Sequence, residues 1–208
     1  ITDAEPITIP AGKTVVLDLK GHTLSAVDNA TGSYGLITNK GNLTVVGPGK
    51  LVVEAEYDRD WNAFSSVISN TVGGNLVVEG GVVLEHLGGT DMAYGIDSLT
   101  NSGIGDVSVT INGGTIKSTY RAIRQFLNSV TGSNELYVYE GSKIEGTNKS
   151  IWSQNANNKD IDMATVVIVG SGMMGSALAF PARENGHTVL LVGSHLDREI
   201  IDTCRATG

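Results

Sequence analysis

The sequence predicts an all-β chain wound as a parallel β-helix, a solenoid, with a short C-terminal β-α-β appendage or cap. Three observations predict it. A short phrase recurs: Leu17 to Leu24, Leu43 to Leu51, Leu76 to Leu84, Val109 to Ile116 and Leu136 to Ile144 each hold two apolar residues spaced by two, a Gly-containing bend and another apolar residue. Successive copies start 26, 33, 33 and 27 residues apart, a period at which internal repeats signal stacked units. The 27 glycines and the 5% aromatic content match many tight bends between short strands better than a helical bundle.

In residues 5 to 26, two strand-like runs are joined by Pro10-Ala11-Gly12, a turn signal. Val15, Leu17 and Leu19 alternate with Val16, Asp18 and Lys20, so one face is apolar and the other mixed. Each later copy has a second strand ahead of its Gly bend, closing on Asn39, Asn70, Asn101, Asn128 or Asn155 at steps of 31, 31, 27 and 27 residues. Asn tolerates left-handed backbone and hydrogen-bonds its neighbours, so each of these five is read as chosen for its turn, an arrangement in which stacked copies can also form a ladder at one corner of the coil. Coils spaced by about 4.8 Å give five to six turns a height on the order of 25 Å, with Leu, Val and Ile stacked inside.

The phrase ITIPAGKTVVLDLKGHTLS, from Ile7 to Ser25, resembles the opening coil of pectin-lyase-like right-handed β-helix proteins of the bacterial-surface and phage-fibre kind. The resemblance covers residues 5 to 160. It implies a right-handed parallel β-helix over residues 1–162 and carries no activity with it, since function lives in sites rather than folds.

Two loop regions hold candidate chemistry. Residues 54 to 64 bring Tyr57, Asp58, Arg59, Asp60, Trp61 and Phe64 into one excursion. Aromatic faces flanked by carboxylates suit sugar, whose apolar face stacks while its hydroxyls hydrogen-bond. Residues 88 to 97 and 118 to 126 supply Asp91, Asp97, Arg121 and Arg124, a set that a polysaccharide lyase would use as calcium ligands and arginine base. Residues three apart on a regular strand point to opposite faces, so Arg121 and Arg124 act together only where the strand bends. The paired-Asp and Gly-His-Gly set of polygalacturonase-like hydrolases is absent from the sequence, as is the Arg-x-Pro-x-x-Arg pattern of pectate lyases.

From Met163 the character of the chain changes. Ala164 to Val169 reads as an apolar strand, followed by Gly170-x-Gly172-x-x-Gly175, a helix-like stretch interrupted by Pro181, and a second strand at His187 to Val192. Strand, G-x-G-x-x-G, helix and strand is the order a dinucleotide-binding unit needs, with pyrophosphate at the helix N-terminus. The segment resembles the first β-α-β unit of NAD(P)-dependent glycerol-3-phosphate dehydrogenases, which implies phosphate-binding roles for Gly170, Gly172 and Gly175 and NAD(P) as cofactor if the segment functions. Gly193-Ser194-His195 stands where a ribose-binding carboxylate belongs, and the sequence given stops at Gly208. A competing reading aligns Val166 to Met174 with Leu136 to Ile144 at a step of 30, making the strand a further turn of the solenoid and residues 163–208 its cap.

A net charge of −8 argues against nucleic acid or an anionic membrane as partner. The one cysteine, Cys204, excludes an intrachain disulfide and a cysteine metal cluster. No apolar run reaches the length of a membrane span, and Ile1 follows neither Met nor a leader, as in a processed or trimmed start. The expectation is therefore a non-enzymatic structural or adhesive protein of a virion or an extracellular cell surface, without catalytic residues, metal or cofactor. Its partners would be glycan, copies of itself or other surface subunits. The alternatives are a β-helical polysaccharide lyase or hydrolase and a dehydrogenase fragment.

Overall fold

The structure is a computed structural model that describes residues 1–56, 58, 63–71, 73–89, 91–100, 105–128, 132–155, 165–169 and 188–192. Three strands make one turn. The first turn is β1 (Ile7–Ile9), β2 (Thr14–Asp18) and β3 (Thr23–Asp28), and the second β4 (Tyr34–Asn39), β5 (Asn42–Val46) and β6 (Gly49–Ala55). The third is β7 (Ser65–Thr71), β8 (Asn75–Glu79) and β9 (Val82–Leu87), and the fourth β10 (Ala93–Thr100), β11 (Val107–Asn112) and β12 (Thr115–Ser118). The fifth is β13 (Arg121–Leu127), β14 (Asn134–Tyr139) and β15 (Lys143–Gly146), after which come β16 (Lys149–Asn155), β17 (Thr165–Val169) and β18 (Thr188–Val192).

Every third strand pairs in parallel. Sheet A runs β1-β4-β7-β10-β13-β16, sheet B β2-β5-β8-β11-β14-β17-β18, and sheet C β3-β6-β9-β12-β15. The chain is thus an all-β, right-handed parallel solenoid of about five turns, as the repeats predict, with no helix among the described residues.

The interior is built from ladders of like residues. On sheet A, Ile37, Ile68, Ile96, Ile123 and Ile151 are in register from the second turn onward, and Ile7 extends the row at the exposed end of the stack. On sheet C, Leu24, Leu51, Leu84, Ile116 and Ile144 stack the same way. On sheet B, Leu43, Leu76, Val109 and Leu136 align as the repeats have them. The first copy is corrected: Val15, two residues before Leu17, sits beside Leu43. Val15, Leu17 and Leu19 all contribute to the core, so apolar content alone left that register open by one full alternation.

Glycine is needed where sheet B turns into sheet C. Gly21, Gly81, Gly113 and Gly141 hold φ of 81°, 80°, 84° and 83° at this corner of the first, third, fourth and fifth turns, the left-handed region where a side chain is strained.

At the A-to-B corner an asparagine ladder forms between Asn39 and Asn70. Asn39 Nδ2 donates to Asn70 Oδ1 (2.8 Å) and to the Asn75 carbonyl (3.1 Å), and Asn70 Nδ2 donates to the carbonyls of Gly74 (3.1 Å) and Ser108 (3.0 Å). Beyond this pair, register puts Ser98 beside Asn70, then Gln125, then Ser153. Asn128 lies past the end of β13, Asn155 pairs with Leu127, and Asn101 lies outside the described residues. Asn134 enters from β14 instead: it accepts from Ser98 Oγ at 2.8 Å and donates to the Ser98 carbonyl at 2.8 Å. The corner needs buried polar groups satisfied, and amide or hydroxyl side chains from either strand meet that need, so residue identity was a poor guide to register.

At the far end β17 pairs with β14, Tyr137 beside Val167, as the reading of a further turn predicts. β18 then pairs with β17 in parallel, Thr165 beside Thr188. Gly170, Gly172 and Gly175 lie outside the described residues.

Candidate functional site

Sheet A is bent. Leu36 and Ile37, Val67 and Ile68, and Ala122 and Ile123 are consecutive residues that all lie in the core cluster, and a Cβ placed on Gly95, just before Ile96, would meet Ile116 Cγ2 at 2.6 Å. Two inward residues in a row reset the alternation of a strand. Residues on either side of the bend therefore share the outer face: Tyr94 with Asp97 on β10, and Arg121 with Arg124 on β13. The register carries this across strands, Tyr94 beside Arg121 and Asp97 beside Arg124. The bend that would let the two arginines act together is present.

At the centre is a buried ion pair. Arg124 Nε donates to Asp97 Oδ1 at 2.6 Å and Nη2 to Oδ2 at 2.9 Å, the two-pronged geometry that makes arginine–carboxylate pairs strong. Asp97 is 0% and Arg124 7% exposed. Burial works to lower the Arg124 pKa, but the charge and hydrogen bonds of Asp97 outweigh it, and the guanidinium is held above its ordinary value. Both Asp97 oxygens are thereby occupied by a cation.

Aromatic rings surround the pair. The Arg124 guanidinium lies 4.6 Å from the Phe64 ring centre, 4.8 Å from Tyr94 and 5.3 Å from Phe126. Tyr94 and Tyr120 meet with ring centres 6.2 Å apart. Arg121 is held between two rings, 4.4 Å from Tyr120 and 3.8 Å from Trp152, contacts that stabilise a partly desolvated cation by about 0.5–2 kcal/mol each. Its Nε and Nη1 are shut from solvent and have no hydrogen-bond partner among the described residues.

The two candidate sets of the sequence thus meet in part. Phe64, from the loop set, covers Arg124, from the charged set. Asp58 is exposed, and Tyr57, Arg59, Asp60 and Trp61 lie outside the described residues. Asp91 is exposed and accepts from the Met92 N–H at 2.9 Å. Tyr94, Tyr120 and Trp152 were missed, although Tyr94 and Tyr120 stand in the very segments that supplied the aspartates and arginines. His86 was missed too: it takes the inward position after Val82 and Leu84 in β9, 1% exposed, with Nε2 2.7 Å from Ser65 Oγ.

Tyr94 makes the cluster sensitive to alkali. Burial, opposed by Arg124 and reinforced by Asp97, pushes its phenol up to about 12 from 10.0. In the unfolded chain the phenol ionises near its ordinary value, so its contribution is complete below pH 10 and is lost as pH rises toward 12, at up to about 1.4 kcal/mol per pH unit. Urea unfolding across that range is expected to show a shallower alkaline loss for Tyr94→Phe than for the parent; identical slopes would show that Tyr94 does not carry it.

A second concavity, of about 360 Å³, lies along sheet C and is lined by Lys117, Glu145 and Thr147 among others. Its lysine already pairs with Glu145 at 3.3 Å, an exposed contact of the kind that contributes little. Among the described residues no group of three or more His, Cys, Asp or Glu is placed to hold a metal ion, and no helix is long and apolar enough to cross a membrane. No protein-family profile, curated protein or solved structure matches the chain.

Proposed function

We propose that the chain is a non-enzymatic structural or adhesive element of a virion or bacterial surface, meeting glycan or neighbouring subunits through the outer face of sheet A. The observation that carries this reading is a cluster of rings and arginines, most of them on the strands of sheet A, anchored by the Asp97–Arg124 pair. Sites built on strands hold their side chains more firmly than sites on loops, and stacked rings suit saccharide or protein surfaces equally. The resemblance of residues 5 to 160 to surface and fibre β-helices supports the same role.

The test joins two measurements. Multi-angle light scattering over a concentration series reads self-association, and a glycan array reads saccharide retention. Association or retention that is lost in Trp152→Ala, with folding intact, is the expected result. A monomer that retains no glycan, yet releases unsaturated products from acidic polysaccharide with calcium, would overturn the proposal in favour of a lyase.

A further inference from the structure

The geometry points to Arg121 and Lys149 as a receptor for a carboxylate carried by the ligand of this face. The inference rests on the adhesive reading of sheet A and names the group that the site reads. Three observations carry it. The Arg121 guanidinium has its two faces covered by Tyr120 and Trp152, so a partner can approach only in its plane. Two of its nitrogens, Nε and Nη1, are closed off from solvent and have no acceptor among the described residues, so a partner from outside meets the guanidinium at Nη2. And Lys149 stands beside it in register on β16, exposed and in no ion pair among the described residues.

Like charges directly opposite each other on neighbouring strands repel. In a chain of net charge −8, two adjacent cations in no ion pair among the described residues mark a place for an anion from outside. With Nε and Nη1 closed, a carboxylate would set one oxygen on Nη2 in a charge-assisted hydrogen bond and turn the other toward the ammonium of Lys149, one strand spacing away. Neighbouring Asp97 does not compete, since both its oxygens are held by Arg124. The Trp152 ring against Arg121 makes the site self-reporting.

The test uses the full chain with Trp61→Phe, which leaves Trp152 as the one remaining tryptophan of the two, and follows its fluorescence on titration with benzoate, benzamide and phenyl phosphate. Benzoate is expected to change the signal saturably and neutral benzamide to leave it flat. Arg121→Gln is expected to raise the benzoate half-saturation at least about tenfold, as loss of charge-assisted hydrogen bonds does, and Lys149→Ala by about two- to fivefold. Circular-dichroism melts check that each variant is folded. Equal responses to benzoate and benzamide, or an unchanged half-saturation in folded Arg121→Gln, would overturn the inference. Should Arg121→Gln not fold, the exposed Lys149→Ala decides, and no change there overturns it. An Arg121-dependent preference for phenyl phosphate would overturn the choice of carboxylate. Benzoate binding by a chain that neither associates nor retains glycan would sink the adhesive role and leave the receptor standing; the reverse outcome would sink the receptor alone.

Discussion

Asp97→Ala is expected to lower the unfolding free energy by about 3–5 kcal/mol, because it leaves the Arg124 guanidinium buried without its counter-charge. The figure applies to a pair shut away from solvent, and with Asp97 at 0% and Arg124 at 7% exposure this one qualifies. Three rings lie around Arg124, so water reaches the orphaned cation poorly. Asp97→Asn keeps the shape but removes the charge, and is expected to fall between parent and alanine. The double variant Asp97→Leu/Arg124→Met is expected to recover much of the loss, since apolar residues of similar volume often replace a buried pair without penalty. Urea unfolding of the four proteins checks this. An Asp97→Ala loss below that of an exposed pair, about 1 kcal/mol, would show that the pair is solvated and the outer face of sheet A is not a closed cluster.

Leu84→Ala is expected to cost about 2–5 kcal/mol, the range for buried leucine truncations that leave a cavity. Leu84 is 0% exposed and has Leu51 on one side and Ile116 on the other. Neighbouring turns are locked in register on all three sheets, so the walls have little room to collapse into the space. Leu87→Ala is the comparison: it lies on the same strand, is 38% exposed, and is expected to change stability far less. Similar losses for both would contradict the inward and outward assignment of sheet C.

The interior is legible in the sequence because stacking demands like beside like. Leu76, Val109 and Leu136, or Leu84, Ile116 and Ile144, can be aligned at unequal spacings, since a Gly bend marks each copy. The same reasoning misplaces Val15 and Leu17, where every inward position of β2 is apolar and a slip of two residues changes nothing visible. The Asn series stacks at Asn39 and Asn70 and is continued by other polar residues, because a corner asks only for hydrogen-bonding capacity. The site is half legible. Its charges stand out in an apolar strand, whereas the partners of those charges lie a whole turn away, Asp97 and Arg124 being 27 residues apart.

By itself the amino-acid order determined the repeating parallel turn, most of the apolar ladders and the glycine corners. These follow from local alternation and backbone freedom, which each short stretch carries whole. Only the tertiary structure decided that sheet A bends at Gly95 and Ala122, turning Arg121 and Arg124 to one side, and that Asp97, Tyr94, Phe64 and Trp152 gather there from separate turns. A bend of this kind is set by how neighbouring strands fill the core, and contacts between turns depend on register, a property of the stack rather than of any single segment.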